Sequence, residues 1–234
     1  MNSLPFNPTQ IKAILFDLDG TLVDTDDVDV GQWAQRIARG YRDPAQSGSM
    51  ARRIVMALET PVNATFALLD VVGLDTLFVR MMIRLQGSGN LKDLPAVPGV
   101  DAALKRLAKH YPLGVVSTRT VGEAKLFITA LGADDSFKVY AGRDSTWRIK
   151  PSPQPVIYAA RMLEIEPTQC LMVGDTTVDI KAGRRAGAWT CGVLCGYGER
   201  RELELAGAHM ILDNTAMLDE MLLGPKIEDM QSAR

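Results

Sequence analysis

From Val100 onward the sequence alternates short apolar runs with amphipathic stretches, and this alternation constrains the fold more than any other feature. Leu113-Gly114-Val115-Val116-Ser117, Val139-Tyr140-Ala141, Cys170-Leu171-Met172-Val173-Gly174, Trp189-Thr190-Cys191-Gly192-Val193 and Met210-Ile211-Leu212 each read as a strand. Between and after them, residues 100–110, 121–131, 153–163, 178–186 and 216–222 read as helices, the third with prolines suited to a first turn. Strands separated by helices pair in parallel, since each connection has to cross over the sheet. Lys12-Ala13-Ile14-Leu15-Phe16 adds a buried strand near the N-terminus. The expected fold class is therefore α/β with a mainly parallel sheet.

One long stretch departs from this rhythm. Residues 25–92 carry almost no strand-like run, and Trp33, Ile37, Ile54, Leu58, Phe66, Leu69, Val72, Leu77, Met81, Met82 and Leu85 recur mostly three and four apart. That spacing predicts amphipathic helices packed on one another, with the Met and Leu stripe as their core. Gly87-Ser88-Gly89-Asn90 and the Pro95, Pro98, Gly99 cluster read as a linker back to the α/β part. The expected domains are a core of residues 1–24 and 94–224, a helical unit of residues 25–93, and a frayed polar tail of residues 225–234.

Composition narrows the partners. A net charge of −2 gives no electrostatic case for nucleic acid or an anionic membrane. The most apolar segment, residues 64–85, is broken by Asp70, Asp75, Arg80 and Arg84, which argues against a membrane span. Residues 1–10 hold two prolines and no basic or apolar stretch, so no secretory signal is expected. The odd set Cys170, Cys191 and Cys195, without a C-x-x-C pair, reads as small buried hydrophobes, and a cytoplasmic location is expected.

Chemistry is concentrated where strands end. In Phe16-Asp17-Leu18-Asp19-Gly20-Thr21-Leu22-Val23-Asp24 two carboxylates follow the first strand and precede a glycine turn. Open α/β sheets bind ligands at the carboxyl ends of their strands, and residues i and i+2 of an extended segment leave one face. Three further signals fall at equivalent places: Ser117-Thr118, Lys150-Pro151, and Gly174-Asp175-Thr176-Thr177-Val178-Asp179. Singly, each has a structural explanation. Thr118 or Thr120 suits an N-cap, a lysine beside a proline is commonly solvated, and Asp175 or Asp179 suits a helix start. Their joint occurrence in this order, each at a strand exit or in the loop beside it, is what points to a site.

These residues resemble the four motifs of the haloacid dehalogenase-like (HAD) superfamily of phosphotransferases: Asp17-Leu18-Asp19-Gly20-Thr21, Ser117, Lys150 in Lys150-Pro151-Ser152-Pro153, and Gly174-Asp175 with Asp179. The resemblance covers the chain from Lys12 to about Leu222 apart from the helical stretch, and is strongest to the phosphoglycolate phosphatase and β-phosphoglucomutase-like group. It implies a Rossmann-like three-layer core with an α-helical cap domain inserted after the first strand. It also implies a Mg²⁺-dependent phosphatase acting on a small phosphorylated metabolite, with Asp17 as nucleophile and Asp19 as acid and base. Lys150 would counter charge on the transferring phosphoryl group, and Ser117, Thr118 and Lys150 would bind it. Asp17, Asp175 and the Asp19 backbone carbonyl would hold Mg²⁺, supported by Gly174 and Asp179.

The resemblance also separates relatives. Haloacid dehalogenases do not need Asp19 or Asp175, and transport ATPases lack an acid at the position of Asp19. A sugar-phosphate mutase of the β-phosphoglucomutase type shares all four motifs, but carries a histidine twelve residues after the nucleophile, where this chain has Asp29. Hydrolysis is therefore preferred to phosphoryl return. A low-turnover phosphate-binding or regulatory protein on the same fold is the alternative of another class. For the substrate, Arg42, Arg52 and Arg53 of the helical unit and Arg119 after the second motif are the candidate contacts. The sequence leaves monomer and dimer both open.

Overall fold

The computed structural model describes residues 7–24 and 95–224. Six parallel strands form one sheet in the order β3-β2-β1-β4-β5-β6: β1 Ala13–Phe16, β2 Leu113–Val116, β3 Phe137–Ala141, β4 Cys170–Gly174, β5 Trp189–Val193 and β6 Met210–Leu212. The helices are α1 Val100–Leu107, α2 Val121–Ala130, α3 Gln154–Met162, α4 Thr177–Ala186, α5 Arg200–Ala206 and α6 Leu218–Leu223. This is the expected Rossmann-like α/β core.

Alternation along the central strand builds the three layers. Ile14 and Phe16 enter one apolar cluster with Leu104 and Leu107 of α1, Phe127 and Ile128 of α2 and Leu218 of α6. Ala13 and Leu15 enter a second with Val156, Ala159 and Ala160 of α3 and Ala182 of α4. Every residue of β1 is buried, as a strand covered on both faces must be.

The strand order reverses across β1, because β2 and β3 lie on one side of it and β4 to β6 on the other. Such a switch point leaves a crevice at the carboxyl ends of the two strands that flank it. Phe16 pairs with Val173 and with Val115, so the residues after these strands emerge side by side.

The excursion between Asp24 and Pro95 starts and ends at this same edge. The Asp24 N–H donates to the Pro95 carbonyl at 2.9 Å, the Val97 N–H donates to the Leu22 carbonyl at 3.0 Å, and Val23 bridges Ala96. The expected helical unit 25–93, with Asp29, Arg42, Arg52 and Arg53, and the tail 225–234 lie outside the described residues.

Local differences from the sequence reading have simple causes. β3 starts at Phe137, two residues early, because the exposed Lys138 interrupts its apolar run. The final helix is preceded by a 3₁₀ turn, Thr215–Met217, capped by Asn214. Helix α5 was not expected, since Arg200–Ala206 is largely charged and buries only Leu203. Cys170 and Cys191 are buried and Cys195 half-buried, all unbridged, and burial pushes the Cys170 thiol up to about 12. No helix among the described residues is long and apolar enough to cross a membrane.

Candidate active site

Asp17 is the first residue past β1, and its N–H donates to the Val173 carbonyl at 2.9 Å, continuing the ladder to β4. The chain bends at Leu18, so Asp17 and Asp19 do not share the face of an extended segment. Their side chains find separate cations: Lys150 Nζ lies 2.7 Å from Asp17 Oδ1, whereas Arg119 Nη2 lies 2.6 Å from Asp19 Oδ1.

Lys150 arrives from the loop before α3 and is buried. It also reaches Asp179 Oδ1 at 2.6 Å. Burial alone would lower the lysine's pKa, but the charges of Asp17 and Asp179 outweigh it and hold it above the ordinary value. Asp179 has a second task. Its Oδ2 accepts from the Thr176 N–H at 3.1 Å and from the Thr176 hydroxyl at 2.6 Å, the capping box that opens α4. The helix-start explanation for Asp179 and its proximity to the lysine are thus both present. Gly174 makes this possible, because a Cβ there would lie 2.3 Å from the Asp179 Cβ.

Asp175 follows β4 directly and is fully buried. Its Oδ1 accepts from the Thr21 hydroxyl at 3.2 Å and its Oδ2 from the Tyr197 N–H at 3.0 Å. Two glycines let the backbone close around it. A Cβ at Gly196 would lie 2.2 Å from Asp175 Oδ2 and 2.5 Å from the Gly20 carbonyl oxygen. Gly20 has φ of +70° and would place a Cβ 2.2 Å from the same Oδ2, so neither shape nor backbone admits another residue. Thr21 and the loop 195–198 were missed as site residues. Thr21 stands inside the first motif, but with no role assigned to it, and the loop gave only the paired glycines in Gly196-Tyr197-Gly198 after a strand, which turns share.

Asp17, Asp175 and Asp179 offer carboxylate oxygens within 4.8 Å of one another, all buried. Burial first, and then the charge of Asp179, push the Asp17 carboxyl up to about 7, with Lys150 pulling the other way. Asp175 is raised well above the usual carboxylate range by burial and by Asp179 and Asp17. Three buried acids against one lysine leave excess negative charge in a dry place, which fits a hard divalent cation with oxygen ligands.

Ser117 continues the sheet beyond β2, its N–H donating to the Ala141 carbonyl at 3.0 Å. Its Oγ accepts from the Arg119 N–H at 3.1 Å. Thr118 sits beside it, half-buried. Thr120, not Thr118, caps α2, in a capping box with Glu123. Of the two histidines His110 is exposed, and His209 accepts from the Thr190 N–H at Nδ1 and packs on Trp189, away from these residues.

An acid–lysine–acid cluster thus stands at the switch point of a parallel sheet, with a third acid beside it. The model of the family described as haloacid dehalogenase-like hydrolase matches residues 14–193. The chain belongs to this family. It is 32% identical over 220 residues to an N-acetylmuramic acid 6-phosphate phosphatase of Pseudomonas aeruginosa, covering 91% of this chain and 95% of that one. It is 29% identical over 216 residues to a plasmid-borne phosphoglycolate phosphatase of Cupriavidus necator, covering 90% and 92%. A HAD-superfamily hydrolase of subfamily IA, variant 1, from Geobacter sulfurreducens shares the fold with a TM-score of 0.61 at 19% identity, covering 94% of this chain and 100% of that one. The HAD hydrolase thus has enzymes named as phosphatases among its relatives.

Proposed function

We propose that this HAD hydrolase is a Mg²⁺-dependent phosphatase that cleaves a small phosphate monoester through an aspartyl-phosphate on Asp17. The observation that carries the reading is the buried Asp17–Lys150–Asp179 cluster with Asp175 beside it at the sheet's switch point. Asp17, Asp175 and the Asp19 carbonyl are the residues that would hold Mg²⁺. When bound, the ion would supply positive charge that lets a carboxylate approach a phosphate dianion.

The chain's own groups divide the remaining work. Lys150 holds Asp17 and counters charge that develops on the phosphoryl oxygens. Ser117 and the backbone N–H groups beside Thr118 and Asp19 hydrogen-bond those oxygens. An Asp17 oxygen forms a bond to phosphorus as the ester P–O bond breaks, and the leaving oxygen takes its proton from the Asp19 carboxyl. Water then attacks the phosphorus, gives a proton to Asp19, and returns Asp17 and inorganic phosphate. Asp179 positions Lys150. Residues 25–93 are proposed as a cap over this crevice, since the excursion leaves and rejoins the core at its edge.

The test is phosphate release from a panel of phosphorylated metabolites with Mg²⁺ and with EDTA. Turnover of at least one small monoester in Mg²⁺ and none in EDTA is expected. Release unchanged by EDTA would sink the metal assignment, and no release from any member would sink the phosphatase.

The glycine loop yields a second expected result. Gly196→Ala forces a methyl group into Asp175 and lowers the apparent Mg²⁺ affinity of the activity by about 10–100-fold, the usual cost of disturbing a ligand's support. Gly122→Ala, where a Cβ meets nothing within 4 Å on helix α2, is the control and leaves it unchanged. Equal Mg²⁺ titrations of the two variants would show that the loop does not fix Asp175.

A further inference from the structure

Both oxygens of Asp19 are occupied by one side chain. Arg119 Nε lies 3.0 Å from Oδ1 and 2.8 Å from Oδ2, and Nη2 lies 2.6 Å from Oδ1. A carboxylate clamped in this way has both oxygens engaged by the guanidinium rather than by a leaving group. Arg119 cannot retreat with its loop, because the backbone is pinned. Its N–H donates to Ser117 Oγ, its carbonyl accepts from the Arg143 N–H at 2.9 Å, and a Cβ at Gly142 would lie 2.7 Å from that carbonyl oxygen. The side chain alone has to move.

The contact is placed where a ligand can reach it. The Arg119 and Asp19 side chains are 22% and 29% exposed, whereas those of Lys150 and Asp17 are 2% and 10% exposed. Among the described residues Arg119 Nη1 has no hydrogen-bond partner. A part-exposed pair is weak, and a planar guanidinium accepts one carboxylate or phosphate in place of another.

Resting on the phosphatase reading above, we propose that Arg119 latches Asp19 in the unliganded enzyme. A second anionic group on the substrate, beyond the phosphoester, draws the guanidinium away and frees Asp19. The preferred substrates are therefore phosphomonoesters that also bear a carboxylate or a second phosphate. Arg119 thus contacts the substrate, and in its absence holds Asp19 idle.

The experiment compares two matched pairs: N-acetylmuramic acid 6-phosphate with N-acetylglucosamine 6-phosphate, which lacks the lactyl carboxylate, and phosphoglycolate with ethyl phosphate. The wild-type chain is expected to prefer the carboxylated member of at least one pair by about 100-fold or more in kcat/KM. Arg119→Ala lowers kcat/KM for that member by about 100-fold, mostly through KM, and raises kcat severalfold for the neutral member because the latch is gone. Arg119→Lys restores part of the preference. Retention of the preference in Arg119→Ala, or an equal loss on both members, overturns the proposal, since a mere scaffold for Asp19 has the second effect. Release from neutral members alone overturns it and leaves the phosphatase standing. No release from any of the four or from the wider panel overturns both.

Discussion

Asp17→Asn is expected to remove phosphate release by on the order of 10⁴-fold or more, and at the same time to stabilise the metal-free protein at pH 8. On the proposed mechanism, loss of activity follows from loss of the nucleophile, because an amide neither attacks phosphorus nor leaves as a carboxylate. The gain in stability follows from electrostatics. Burial and Asp179 move the Asp17 carboxyl from 3.8 to about 7 on folding. Between those values the folded chain holds a proton that the unfolded chain has released, so the contribution of Asp17 to metal-free stability is fully present below pH 3.8 and is lost as pH rises towards 7. Asp175, raised by the same causes, adds a decline of the same sign. The amide of the variant never ionises and still leaves Lys150 paired with Asp179 at 2.6 Å. A gain on the order of 2–4 kcal/mol follows at pH 8, about 5–10 °C in Tm. Scanning calorimetry in EDTA at pH 5 and pH 8 measures it. Wild type should lose more stability between the two pH values than the variant does. A variant that melts below wild type at pH 8 would show that the Asp17 charge supports the fold.

This tension between a needed charge and a stable core also decides what the sequence makes legible. Strands such as Cys170–Gly174, Trp189–Val193 and Met210–Leu212 were readable to the residue, because a strand in a covered parallel sheet is a short apolar run bounded by polar or turn residues. Helix α5 was not, because with one buried residue its helical period leaves no trace in hydrophobicity. In the site, Asp17 and Asp175 announced themselves at strand exits, where a carboxylate directly follows an apolar run, and Lys150 and Asp179 by their type in the loop and the helix start beside those exits. Their partners did not. The bond of the Tyr197 N–H to Asp175 and the space kept by Gly196 concern backbone from a loop after another strand, and a backbone N–H has no sequence signature. The Arg119 clamp on Asp19 spans 100 residues of chain and depends on the bend at Leu18, which an i, i+2 argument for an extended segment passes over.

Lys150→Met is expected to lower stability by about 3–5 kcal/mol as well as to reduce phosphate release by at least 10²–10³-fold. Met keeps the length and apolar stem of the lysine, so packing changes little. The removed ammonium, however, leaves Asp17 and Asp179 facing each other in a dry site without their counter-charge. If charge compensation is the reason for the loss, a second substitution should repair it. Asp179→Asn keeps an oxygen to which the Thr176 N–H and hydroxyl can donate, and deletes one of the two abandoned carboxylates. The double variant Lys150→Met with Asp179→Asn should therefore recover more than half of the lost stability while remaining inactive, because nothing in it counters charge on the phosphoryl group. Urea unfolding of wild type, both single variants and the double variant closes the cycle and gives the coupling between the two sites directly. A double variant no more stable than Lys150→Met alone would place the role of Lys150 in packing. Recovery of stability without activity would instead separate the two demands on this lysine: the fold needs the charge of the paired carboxylates offset, and the proposed reaction needs the positive charge itself.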